Sequence, residues 1–108
     1  MKQLFTLSLF LSACAAQHPR PDDTLPELEL TRQQLARDER ALAGPQADGR
    51  SVDCPRAAQL GDNICQLAQR ICVLVERLPP SPANAAQCAD ARARCQGARE
   101  RVKAACKR

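Results

Sequence analysis

The sequence predicts an all-α protein: an antiparallel helical hairpin stapled by three disulfides, with a third, N-terminal helix docked on it. Three observations predict this. Six cysteines in the C-terminal half, Cys54, Cys65, Cys72, Cys88, Cys95 and Cys106, are spaced 11, 7, 16, 7 and 11, an order that reads the same in both directions. Its midpoint, position 80, falls in the run Leu78-Pro79-Pro80-Ser81-Pro82, which stops one helix and starts another. Upstream, Leu28, Leu35 and Leu42 repeat every seven residues between helix start and stop signals.

Before the first of these elements lies a short leader. Met1-Lys2-Gln3 carries one positive charge, and Leu4 to Leu11 is apolar except for Thr6 and Ser8. This is the charged and apolar layout of an export signal, too short to cross a bilayer, which takes about 20 apolar residues. It closes on Leu11-Ser12-Ala13-Cys14, an aliphatic residue, two small ones and a cysteine. That ending resembles the lipobox of bacterial lipoproteins. The resemblance covers residues 1–14 and implies that Cys14 takes a diacylglyceryl group on its thiol. It also implies that residues 1–13 are removed and that the new N-terminus gains a further acyl chain of the palmitate class. Each buried CH₂ contributes about 0.8 kcal/mol, so several chains on one cysteine anchor stably. In Gram-negative members Asp after the cysteine tends to retain the protein in the inner membrane. Here the residue is Ala15, which implies the outer membrane if the host is Gram-negative. The competing readings are an ordinary signal that happens to contain a cysteine, or a buried helix. Residues 14–23, with Ala15-Ala16-Gln17-His18-Pro19-Arg20 at their core, then read as lipidated cysteine and flexible tether.

The segment 24–43 reads as an amphipathic helix. Thr24-Leu25-Pro26-Glu27 has the spacing of a capping box, and Gly44-Pro45 ends the run. Its leucine stripe needs cover. Docking on the hairpin is the preferred reading over a self-associating stalk, for which three heptads is about the minimum. Residues 44–52 form the linker.

Residues 53–108 form the hairpin. Asp53 caps its first helix, Pro55 sits in the first turn, and the helix runs from about Cys54 to Leu78. The second begins near Pro82 or Asn84, with Ser81 or Asn84 as cap. At about 100° per residue, steps of 7 and 18 return to within roughly 20° of the starting direction, so each helix carries its cysteines on one stripe. Folding at position 80 sets the stripes face to face with rungs about 10 and 16 Å apart on both helices. Parallel pairing would set a step of 11 against one of 7. Six cysteines allow about fifteen connectivities, and the palindrome selects Cys54–Cys106, Cys65–Cys95 and Cys72–Cys88. Close approach needs small neighbours, supplied by Ala58, Gly61, Ala68, Ala91, Ala98 and Ala105. The construction is similar to that of twin-cysteine hairpins of the mitochondrial intermembrane space and of plant disulfide hairpins, whose spacings differ; no function follows from it. A second stripe on the first helix, Leu60, Ile64, Leu67, Ile71, Leu74 and Leu78, awaits the N-terminal leucines.

Composition narrows the function. Removing residues 1–13 from the 108 leaves 95, with no Phe, Tyr or Trp, because Phe5 and Phe10 both lie in the leader. Nucleic acid is not an expected partner, since single strands are generally held on aromatic platforms. His18 is the sole histidine, which leaves no histidine triad or histidine-rich metal site. No C-x₂-C occurs, against zinc ligation and thioredoxin-like redox chemistry. The hairpin carboxylates Asp53, Asp62, Glu76, Asp90 and Glu100 read as caps and salt-bridge partners rather than a hydrolase pair. No cofactor, metal or enzyme activity is expected.

The segment Asn84–Arg108 holds seven basic residues against two acidic. Arg92, Arg94, Arg99, Arg101 and Lys103 are candidates for contact with an anionic envelope polymer, lipid head groups or an acidic protein, the alternative being a solvated helix face. Lys107, second from the end, invites comparison with the peptidoglycan-linked outer-membrane lipoprotein. That family ends in Lys on one long helix, and this chain does neither. The expectation is a membrane-anchored envelope lipoprotein acting as a binding or structural module on an unknown envelope partner. The rival is a thiol-based metal-binding or redox-active envelope protein.

Overall fold

A computed structural model describes residues 21–45 and 49–107. Cys14, its lipobox, His18 and most of the expected tether lie outside the described residues. Three helices make up the fold: α1, Pro21–Ala43; α2, Cys54–Glu76; and α3, Pro82–Ala105. Among the described residues no helix is long and apolar enough to cross a membrane.

The helix ends follow from local chemistry. The Asp53 side chain accepts a hydrogen bond from the Arg56 amide at 2.9 Å, and Pro55 occupies the first turn of α2. One amide left over at the helix start is thereby satisfied. Ser81 does the same for α3, accepting from the Asn84 amide at 3.0 Å. That makes Ser81, not Asn84, the cap. Asn84 instead donates from its side chain to the Pro79 carbonyl at 2.8 Å, tying the turn to the helix it precedes. Helix α2 ends at Glu76, two residues short of Leu78. The Arg77 amide closes the last turn on Leu74 O, and Leu78 tucks back into the core.

The start of α1 differs from the capping-box expectation. Helix α1 already includes Pro21, inside the segment read as tether. Thr24 lies within it, 1% exposed, one turn before Leu28 on the buried face. Thr24 is therefore a core residue of the helix and not its cap. Pro26 lies inside α1, where it forgoes one backbone hydrogen bond.

Helix α2 is the central element. Leu28, Leu35 and Leu42 of α1 join Leu60, Ile64, Ile71, Leu74 and Leu78 in one core, with Leu67 partly buried beside them. The N-terminal helix is thus docked, leucine stripe against leucine and isoleucine stripe. On the other side of α2, Ala68 and the small residues Ala91 and Ala98 of α3 are all buried where the two helices approach. Helices α1 and α3 both run antiparallel to α2, hence parallel to each other, and touch little. Leu35, Ile64 and Leu74 are completely buried. Burial of such a side chain contributes roughly 1.5–3 kcal/mol, so the stripe docking is the main apolar gain in a domain without aromatics.

Three disulfides join α2 to α3: Cys54–Cys106, Cys65–Cys95 and Cys72–Cys88, with Cα–Cα distances of 4.7, 4.6 and 4.7 Å. They are the three pairs expected from the palindromic spacing. The near-constant separation means that the helix axes stay equidistant along the ladder.

Candidate interaction surface

The five cations singled out on α3 do not form one patch. Positions 92 and 101 are nine residues apart, about half a turn at about 100° per residue. Arg92 and Arg99 flank the disulfide ladder, on the side of the hairpin away from α1. Lys103 lies four residues beyond Arg99 on the same flank. Arg94 and Arg101 lie on the opposite flank, facing α1. An expectation of one anionic contact through all five therefore divides into two surfaces, because a helix distributes a sequence cluster around its whole circumference.

Arg94 is moreover already engaged. Its Nε donates to Glu39 Oε1 of α1 at 2.8 Å, and Nη2 donates to the same oxygen. Asp90, one turn back, lies 3.5 Å from Nη1. The hydrogen bond donated to Glu39, aided by the charges of Glu39 and Asp90 and opposed by partial burial, raises the Arg94 pKa above its ordinary value. Arg94 thus serves as a strut across the groove between α1 and α3. A similar pair, Arg70 with Glu27, spans α1 and α2, its Nε–Oε1 distance being 3.1 Å. The segment Asp22–Leu42 holds six acidic residues against three basic, and this bias, like the basic bias of α3, is legible as composition. These particular partners were not, because they depend on the register set by the leucine packing.

Two grooves result. Between α1 and α3, a depression of about 420 Å³ is lined by Ala36, Glu39, Arg40, Leu42, Arg94 and Gly97 among others. A Cβ added to Gly97 would meet nothing within 4 Å. On the ladder side, a groove of about 570 Å³ runs over Cys65, Cys72 and Cys95, between Gln69, Val73 and Glu76 of α2 and Arg92, Gln96 and Arg99 of α3. No residue of α1 lines it. Val73 is 42% exposed at its edge, an unusual position for a β-branched apolar side chain in this fold.

The remaining candidates are placed simply. All six hairpin cysteines are in disulfides, so none offers a thiolate in this state. Among the described residues no group of three or more His, Cys, Asp or Glu side chains could hold a metal ion. Asp53 caps α2, Asp90 lies beside Arg94, and Glu100 pairs with Lys103 at 3.4 Å. Asp62 and Glu76 are exposed on α2, and Lys107 is exposed beyond the end of α3.

No protein-family model, curated protein or solved structure matches this chain.

Proposed function

We propose that this protein is an exported lipoprotein, anchored through acyl groups on Cys14. In this reading its three-helix domain is a non-enzymatic binding or structural module of the cell envelope. In a Gram-negative host, Ala15 directs it to the outer membrane. The observation that carries the reading is the disulfide ladder. Three inter-helix bridges persist in an oxidising compartment and are rare in a reducing cytosol. The lipobox-like ending at Cys14 supports export independently. The carboxylates of the domain cap helices, pair with cations or stand exposed on α2, which favours binding over catalysis.

The experiment is membrane fractionation with mass spectrometry of the N-terminal peptide. The expected result is a membrane-bound protein whose first residue is Cys14 carrying diacylglyceryl and acyl groups, and a Cys14→Ser variant that leaves the membrane fraction. An unmodified Cys14, with the protein equally distributed in wild type and variant, overturns the anchor.

A further inference from the structure

We infer that the ladder-side groove is a docking site for an amphipathic helix with an acidic edge, supplied by a partner protein. The inference rests on the reading of the domain as a binding module and names its partner's chemistry.

Four observations carry it. The first is the arrangement of cations. Arg92, Arg99 and Lys103 form a row along one flank of α3, at intervals of seven and four residues. These are about 10 and 6 Å along the axis, the intervals at which a facing helix repeats its own side chains. The second is availability. Arg92 and Arg99 are exposed and have no ion pair among the described residues, and Lys103 has only the exposed 3.4 Å pair with Glu100. Arg94, by contrast, is occupied by Glu39.

The third observation is asymmetry across the groove. Where the α2 rim lines the groove it is Gln69, Val73 and Glu76, with no cation among them. A flat anionic membrane laid on this face would meet the carboxylate of Glu76 together with the arginines. A helix lying in the groove can turn an acidic edge to α3 and a neutral or basic edge to α2, satisfying both rims. The fourth is the apolar floor. Val73, with the half-buried Cys65 and Cys95, offers contact to small apolar side chains, which a helix possesses and a linear polyphosphate lacks. Helix-in-groove recognition uses this combination of apolar ridge and charged edges.

The test uses the full-length chain with its disulfides intact, at about 0.15 M salt, where exposed charges more than about 8 Å apart are largely screened. The probe is a fluorescent peptide of about 20 residues, long enough for a helix of about 30 Å. It carries Glu at four- and seven-residue intervals beside an Ala/Leu stripe. A second peptide has the same composition with the glutamates scattered round the helix. Vesicles containing phosphatidylglycerol and a linear polyphosphate are run in parallel. The expected result is saturable binding of the first peptide, weakened at least about tenfold by the combined Arg92→Glu, Arg99→Glu and Lys103→Glu changes, or about 1.4 kcal/mol. Reversing Arg40 and Arg101 on the opposite flank should change it by less than about threefold. Circular dichroism and the non-reduced mass of each variant show that the ladder is intact. Failure of the patterned peptide to bind overturns the inference, as does equal binding of the scattered peptide. Equal loss of vesicle or polyphosphate binding in the triple variant also overturns it, in favour of an unselective cationic stripe. The lipid mass on Cys14 is read from the same preparation, so a failure of the anchor is seen separately from a failure of the groove.

Discussion

A methyl group of Val102 on α3 fills the space that a side chain at Gly61 of α2 would take. A Cβ built on Gly61 lies 2.6 Å from Val102 Cγ2. Gly61 is buried, and it stands between the Cys54 and Cys65 rungs, where the disulfides hold the helices at close approach. The glycine is there for contact, since its backbone is ordinary helix.

Gly61→Ala should therefore destabilise the protein although alanine is the better helix former. Overpacking costs typically 1–3 kcal/mol, against about 1 kcal/mol gained in propensity. Val102 cannot easily rotate away, because a β-branched side chain in a helix has one strongly preferred rotamer. Adding Val102→Ala should restore most of the loss. Denaturant unfolding of the two single variants and the double variant measures the coupling. A Gly61→Ala protein as stable as wild type would show that the helices can move apart.

Gly97→Ala makes the opposite prediction. The same exchange on α3 meets open space. It should stabilise by about 0.5–1 kcal/mol through helix propensity and a more restricted unfolded chain. The pair of substitutions, identical in chemistry and opposite in expected sign, separates packing from propensity in a thermal melt.

Breaking the Glu39–Arg94 strut should loosen α1 from α3 without unfolding the hairpin. The two side chains are 32% and 28% exposed, between the surface and buried regimes. Glu39→Gln should cost about 1 kcal/mol, more than a typical exposed pair. Hydrogen exchange along the C-terminal half of α1 should rise while the ladder region is unchanged. The raised Arg94 pKa gives the sign of any pH effect from this residue. Its contribution is complete below the unfolded value and is lost only as pH rises through the still higher folded value. Across the neutral and mildly alkaline range it stays constant.

The three rungs should differ in accessibility more than in stabilisation. Cys54–Cys106 spans a sequence separation of 52, which treated alone would predict the largest effect. With Cys65–Cys95 closed, however, opening the outer rung frees only the 11-residue steps on either helix. The inner rung spans a separation of 16, so each contributes about 3 kcal/mol in the chain-entropy account. Exposure separates them, because Cys106 is exposed whereas Cys72 is 8% exposed. Stepwise reduction with thiol trapping should label Cys54 and Cys106 first. Labelling of Cys72 and Cys88 ahead of them would mean that the turn at Pro79-Pro80 opens before the helix ends.

The parts of this fold legible in the sequence were those fixed by integer spacing. Cysteine pairing followed because only one folding point makes both helices present rungs at equal rise. The leucine stripe of α1 found its complement on α2 because both repeat at helical intervals. Thr24-x-x-Glu27 reads as a helix start, but Thr24 lies inside α1 on its buried face, one turn before Leu28. The cations of α3 were legible as a cluster in sequence, not as two surfaces in space. That Arg92 and Arg101 oppose each other was already implicit in their nine-residue separation. That Arg94 is taken by Glu39 was not, because it requires the parallel register of α1 and α3, which α2 imposes on both.

The outermost rung has a mechanical consequence. Cys54 is bonded to Cys106, so tension applied between α1 and Lys107 passes through one disulfide and bypasses everything between. Helix α1 can be peeled from α2 and the stretch up to Cys54 drawn out, 33 residues counted from Pro21 to Asp53, or about 115 Å at about 3.5 Å per residue. There the extension halts, with α2, α3 and the groove beside the ladder unstrained. A protein built this way is a leash of defined length ending in a block that does not stretch.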